Sequence, residues 1–532
     1  MANQNPWRSH LPTITLALIS VVGLVTLGVP RLLDVRKNPS LPQNTPSPSL
    51  SPSATASQAS PSDGSICTTL DQKLTEEQLE ARISRGERTL FPQEENVNLD
   101  RGIQAFSSEN YTQAIKDFKQ AVDGASNNPE AQIYWNNTLA RRRGAPYVLA
   151  AVVPVTGQGD VAKEILRGVA DAQTKFNKRG NNNRLLEIVV VDDGEPKEGG
   201  TSGSINNSAN ATSSPPPQSS STVASTRPTA AQIACRLAAN PNILGVIGHN
   251  SSDASQAALP AYTESQLAVV SPTTTSVLIE SPVFFRTPPS DRESGIALAR
   301  YALALRIKRI AVFHNHDSSY SKSIAQEFIR AYEQGGGEVV YDAQDIGNSD
   351  FDGSDALKKA QESQAQMIAL FPSSDIRSVA IAIANLNADS TKPLPLLGGD
   401  TLYHPNTLTN GGDAVQNLVV SAPCLFVGTQ YAKDANNRWG GQISWRTACS
   451  YDAAQAFINT LETQSSGTID RASILNGLKE TNLNEEETSG APLRFKANGD
   501  REGEPILVQA QSGVARPAGA QFGFKPIPMN NR

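Results

Sequence analysis

Apolar and polar positions along this 532-residue chain fall into a repeating rhythm that begins at Tyr147. Short apolar runs recur, reading YVLAAVVPV, LLEIVVVDD, NILGVIG, LAVVSP, RIAVFHN, GEVVYDA, MIALFP and LPLLGGD, each closed by polar residues or by Gly and Pro. Short β-branched runs bounded by turn formers predict strands. Most are joined by segments of helical period. The first such segment follows the Gly-rich turn Thr156 to Asp160 and places Ile165, Val169, Ala172 and Phe176 on one face. Strands alternating with helices predict an α/β fold of parallel sheets flanked by helices. Ligands of such sheets bind beyond the carboxyl ends of the strands, so the polar residues that close each run are the first site candidates.

The pattern upstream is different. Leu11 to Val29 is an uncharged apolar run of about 19 residues, close to the ~20 that cross a bilayer as a helix. It shows neither a small-x-small cleavage site nor a following Cys, which predicts an uncleaved signal anchor over residues 1–37. Arg31, Arg36 and Lys37 follow it and Arg8 precedes it, against the positive-inside rule, so orientation is read from the downstream fold. Residues 38–65 are Pro/Ser-rich and predict an extended tether. Residues 66–145 predict a helical segment. Within it Gly102, Tyr111, Ala114, Phe118 and Ala121, with Pro129 opening a further helix, resemble a tetratricopeptide repeat. About one and a half repeats are present where roughly three are needed for a core, so residues 97–141 read either as a helical hairpin packed on its neighbour or as a partner-binding scaffold. Residues 195–228 lack any hydrophobic period and predict a disordered surface insertion.

Charge narrows the function. Forty-six basic against 52 acidic residues give a net charge of −6 with no basic stripe, so nucleic acid is not expected as a partner. The four cysteines, Cys67, Cys235, Cys424 and Cys449, are too scattered for a metal knuckle. Cys424 and Cys449 flank one loop and are expected to pair in an oxidising compartment, with Cys67 to Cys235 a further pairing. His314 and His316 with Asp317 suggest metal ligands only superficially, for want of a third convergent ligand. No nucleophile elbow, phosphate loop or His-Glu-x-x-His helix occurs, so neither an enzymatic reaction nor a cofactor is expected.

The segment GVIGHNSSDASQAALPAYTESQLAVVSPTTTS, Gly245 to Ser276, resembles the signature of the periplasmic leucine/isoleucine/valine-binding family, the substrate-binding proteins of ABC transporters. PVFFRTPPSD, VFHNHDSSYSKSIAQEF, LLGGD and ACSYDAAQAF follow in the family's order, so the resemblance spans residues 147 to about 525. It implies a two-lobed type I periplasmic-binding fold. Lobe one is expected over 147–288 and 425–489, lobe two over 289–424 and 490–532, with three hinge crossings. By residue, the resemblance places a hydroxyl for the ligand carboxylate at Ser252, or in the alternative register Ser251. It places carboxylate and amine contacts at Thr273 and Thr275, a closing aromatic at Tyr320, an ammonium acceptor at Asp400 and a cleft-wall aromatic at Tyr451. Relatives often carry Glu where this chain has Asp400. An α-amino acid supports these residue types independently, because a dry cleft must satisfy opposite charges at its two ends. The implied function is capture of an amino acid or similar zwitterion or amide outside the cytoplasm, at the periplasmic face of the inner membrane, for delivery to ABC permease subunits. The alternative is a ligand sensor that signals to a protein docked on residues 97–141.

Overall fold

The structure is a computed structural model that describes residues 66–70, 74–179, 184–195, 227–424, 426–441, 443–464 and 468–527. The apolar run 11–29, the tether and most of the 195–228 insertion therefore lie outside the described residues. Among the described residues no helix is long and apolar enough to cross a membrane.

Each of the eight short apolar runs from Tyr147 to Asp400 forms a strand. The first sheet comprises β1 (Ile83–Ser84), β2 (Tyr147–Val153), β3 (Leu186–Asp192), β4 (Ile243–Ile247), β5 (Ala268–Ser271) and β6 (Phe284–Arg286), in the order β1-β3-β2-β4-β5-β6. All seven residues of β2 and of β3 are buried, as expected for central strands covered on both faces. The second sheet holds β7 (Arg309–His314), β8 (Glu338–Ala343), β9 (Met367–Phe371), β10 (Leu396–Gly398) and β11 (Val419–Ala422). A small ribbon, β12 (Asn482–Leu483) with β13 (Leu493–Arg494), precedes β14 (Ile506–Gln511) and β15 (Gly523–Pro526), which complete the second sheet as β15-β14-β11-β10-β9-β7-β8. Neither sheet is purely parallel, as the helical crossovers alone would make it. β1 runs antiparallel to β3, and β14 runs antiparallel to both β11 and β15, with β14 and β15 joined by a connection without a helix.

The two sheets build two lobes. One continuous core fills lobe one, and two clusters cover the faces of the second sheet. The chain passes from β6 to the lobe-two helix Asp291–Ala304, returns after β11, and crosses again before β14. The last crossing falls later than the sequence suggested. Leu493 and Phe495, allotted to lobe two, belong to the lobe-one core, with Phe495 against Phe285 at 5.1 Å and a bridge between Arg286 and Asp500.

Residues 66–145 are not a separate module. Three helices, Val97–Ser107, Tyr111–Gly124 and Pro129–Arg143, are each capped by an asparagine: Asn96, Asn110 and Asn128. The first two pack closely because Gly102 admits the Phe118 ring, where a Cβ would collide with it. The third helix joins this pair to lobe one. Asn137 bonds both the N–H and the carbonyl of Ile188 on β3, at 2.9 and 2.8 Å. Leu79, Phe106 and Phe118 are part of the lobe-one core. Two disulfides add covalent ties, Cys67 to Cys235 and Cys424 to Cys449, the first stapling the appended segment to lobe one.

Candidate functional site

The loop after β4 is built tightly. Gly248 has φ 146°, and a Cβ there would lie 2.6 Å from the Val152 carbonyl, so glycine is required. The next residue, His249, is fully buried, with Nδ1 2.6 Å from an Asp193 oxygen and Nε2 3.1 Å from the Tyr262 hydroxyl. Ser271 Oγ donates to the His249 carbonyl at 3.0 Å and Thr273 Oγ1 to the Asn250 carbonyl at 2.7 Å. These bonds hold the loop against the end of β5. Ser251 caps the helix Ser252–Glu264 by accepting from Ala254 N at 3.1 Å. Capping thus falls to Ser251, and Ser252 in the first turn lines the cavity between the lobes.

Lobe two answers from the ends of β7 and β10. Tyr320 stands in the first turn of the helix Ser319–Gln334, and Asp400 opens the short turn after β10. The Tyr320 hydroxyl is buried beside the Asp400 carboxyl without a well-formed hydrogen bond of its own. Burial pushes Asp400 up to about 6, against the opposing effects of Tyr320, Arg446, the Thr401 N–H and Arg377. A second acid, Asp291, is fully buried at the hinge, and burial together with the Asp400 charge raises it to about 8. Thr275 and Ser323 stand beside its carboxyl, and its Oδ2 and the Thr275 hydroxyl lack full hydrogen-bond partners. Two carboxyls that oppose each other's ionisation in a dry site favour a cationic guest, which would stabilise both as anions.

The cavity, about 50 Å³, is lined by Asn250, Ser251, Ser252, Asp253 and Thr273 from lobe one and by Ser318, Tyr320, Ser373, Asp400 and Thr401 from lobe two. Arg227, Trp445 and Arg446 also line it. This volume is well below the ~300 Å³ of small ligand pockets, so a ligand enters only when the lobes part. The rim is clasped. Ser319 N donates to Asp253 Oδ1 at 2.8 Å, Ser319 Oγ to Gln256 at 2.7 Å, and Ser276 Oγ to the Ser319 carbonyl at 3.0 Å. The Asp253 charge is thereby spent on the other lobe.

Ser251, Ser252, Thr273, Tyr320 and Asp400 converge on the cavity, and Thr275 lies behind them against Asp291. Tyr451 does not join them. The helix Trp445–Thr463 aims Trp445 and Arg446 at the cavity, while Tyr451, more than a turn later, faces the helix Val155–Arg179. There it stacks on Tyr431 at 4.3 Å and accepts from Lys175 Nζ at 2.7 Å. Sequence reasoning missed Asp291, Trp445 and Arg446. Their signals were present, since Asp291 ends the quoted PVFFRTPPSD crossover and Arg446 stands a short step before the quoted ACSYDAAQAF helix.

His314 Nε2 faces Asp342 at 3.1 Å on β8, whereas His316 is exposed. Among the described residues no three His, Cys, Asp or Glu side chains converge as a metal site.

Solved structures share this architecture. A leucine-binding protein from Thermotoga maritima is 21% identical, with 71% of this chain and 97% of that one aligned at a TM-score of 0.56. An ABC transporter substrate-binding protein from Desulfitobacterium hafniense, in complex with Leu, is 20% identical over 72% of this chain and all of the other, with a TM-score of 0.55. A solute-binding protein from R. palustris, in complex with 4-hydroxybenzoate, is 15% identical over 72% and 96%, with a TM-score of 0.58. No curated protein sequence matches the chain. Residues 223–513, more than half of the chain, match a family described as periplasmic binding protein. That family is one of extracytoplasmic solute binders, generally without enzymatic activity. The two-lobed fold, the hinge crossings and the cavity at the carboxyl ends of both sheets agree with that match, and this chain is a member of the periplasmic binding protein family.

Proposed function

We propose that this chain captures a free amino acid, or a small zwitterion of the same kind, and presents it to an ABC-type permease. The observation that carries this reading is Asp400 on the cavity wall, backed by the buried Asp291 and facing the hydroxyl-rich loops of lobe one across the cavity. An ammonium group beside Asp400 relieves the repulsion between the two carboxyls. An α-carboxylate at the other end meets Ser252 and the loop of Thr273, where N–H and hydroxyl groups serve as donors. Charge-assisted hydrogen bonds of this kind contribute about 1.5 to 3 kcal/mol each, so a few of them support micromolar binding after the cost of association. The leucine complex of the Desulfitobacterium hafniense protein supports an amino-acid ligand. In the same reading residues 11–29 anchor the protein in the membrane and residues 38–65 space the lobes from it.

A thermal-shift screen tests the reading with the common amino acids, their amides, urea and aromatic acids. Ligand at a hundredfold excess over Kd adds about 2.7 kcal/mol to stability, an unmistakable shift. Stabilisation by at least one α-amino acid is expected. Stabilisation by aromatic acids alone, which lack the ammonium group, would overturn the assignment.

A further inference from the structure

Beyond the two ends that bind any α-amino acid, the cavity has a third pole. Trp445 and Arg446 are each 3% exposed, and both line it. Arg446 stacks its guanidinium 4.5 Å from the centre of the Trp445 ring and reaches Glu164 with one terminal nitrogen at 3.3 Å. Its Nε and the indole Nε1 of Trp445 have no hydrogen-bond partner among the described residues. Both groups donate only, and leaving them unpaired and buried is unfavourable. A second guanidinium, Arg377, comes from lobe two. It donates to the Thr401 carbonyl at 2.7 Å and is pushed down to about 10 by burial and by the Arg446 charge. His404 is driven down to about 2 by burial and by the same two arginines. Of the acids near them, Glu164 is shared with Arg446, Asp253 is bound to Ser319, Asp400 belongs to the ammonium end, and Asp375 lies exposed at the cavity edge.

From the unpaired Arg446 Nε and Trp445 Nε1 at the wall of the cavity, we infer that the ligand carries a second anionic group and is an acidic amino acid. This inference rests on the amino-acid reading above and names the class of side chain. The side-chain carboxylate accepts from Arg446 Nε and Trp445 Nε1, while the ammonium and α-carboxylate occupy the two ends already described. A neutral side chain leaves both donors unpaired in a dry wall. An amide offers its single carbonyl oxygen to one of the two donors, turns its NH2 group toward the other, and gains no charge.

Titration calorimetry on the intact protein tests this with L-glutamate, L-aspartate, L-glutamine, L-asparagine and L-leucine. The acids should bind roughly a hundredfold tighter than their amides, well within the discrimination reached when buried donors require a matching acceptor. Arg446→Met should abolish that preference, so that each acid binds no tighter than its amide. Arg446→Lys, which keeps the charge without the planar fork, should retain part of it. The comparison of acids with amides on the unaltered protein stands even if Arg446→Met does not fold. Equal or weaker binding of the acids, with neutral amino acids bound, overturns the inference and leaves the amino-acid reading intact. Failure of every amino acid to bind overturns both.

Discussion

Replacing Asp291 by Asn probes the acidic pair directly. Its carboxyl, fully buried beside Asp400, is raised from 3.8 to about 8, with burial the leading cause and the Asp400 charge second. Thr275, Ser323 and Arg286 face it and pull the other way. Between those two values the folded protein holds a proton that the unfolded chain has released. The folded state is therefore favoured at low pH, and this stability is lost as pH rises toward 8. Each unit costs about 1.4 kcal/mol, so the penalty reaches on the order of 4 kcal/mol at pH 7. Asn cannot ionise and removes the penalty. The experiment is urea unfolding of the ligand-free, disulfide-intact protein at pH 6, 7 and 8. Glu130, raised to about 7 chiefly by burial, also titrates here, but it lies in the appended segment and cancels in the difference between the two proteins. The stability of Asp291→Asn relative to the unaltered protein should climb by about 2 kcal/mol from pH 6 to pH 8. Parallel curves would show that Asp291 is ionised throughout and would refute the coupled pair.

Asp400→Asn should fold and should weaken binding of the best amino acid by about 2 to 5 kcal/mol, the range for truncating one partner of a buried charge pair. A calorimetric change below about 0.5 kcal/mol would instead mean that Asp400 only shapes its turn. Gly168→Ala should cost about 1 to 3 kcal/mol in chemical denaturation, because a Cβ there runs into the Thr447 carbonyl and the Ser450 hydroxyl where the helices Val155–Arg179 and Trp445–Thr463 touch. An unchanged midpoint would contradict that helix contact. Non-reducing peptide mapping should recover the Cys67–Cys235 and Cys424–Cys449 peptides. Replacing both Cys424 and Cys449 by Ser should cost about 3.5 kcal/mol, the loop-entropy value for a separation of 25 residues. Free thiols at both positions would sink the pairing.

Much of this molecule is legible along the chain because most of its strands are central and covered on both faces, β8 at the sheet edge excepted. Burial on two sides demands unbroken apolar runs, and all eight that the sequence shows are strands. The short strands escaped that logic. β1, β6 and the ribbon of β12 and β13 are two or three residues each, too short to leave a period. The loops that end strands carried motif information, so Ser251, Ser252, Thr273, Tyr320 and Asp400 could be named before any fold was known. Tyr451 could not be placed, because a helix turns each residue by about 100° and only the docked helix decides which side chain faces the cavity. Asp291, Trp445 and Arg446 acquire their meaning only when segments over 100 residues apart meet at the hinge. A carboxyl in PSD or an arginine in SWR is unremarkable in water. Enclosure beside another acid raises Asp291, and burial without a full set of partners makes Arg446 a donor in search of an anion. The sequence by itself determined the strands, the family loops and several of the side chains that line the cavity between the lobes. Tertiary structure alone decided which charges are dry, which are shared and which remain to meet a ligand, because desolvation is a property of the folded surroundings and not of the residue.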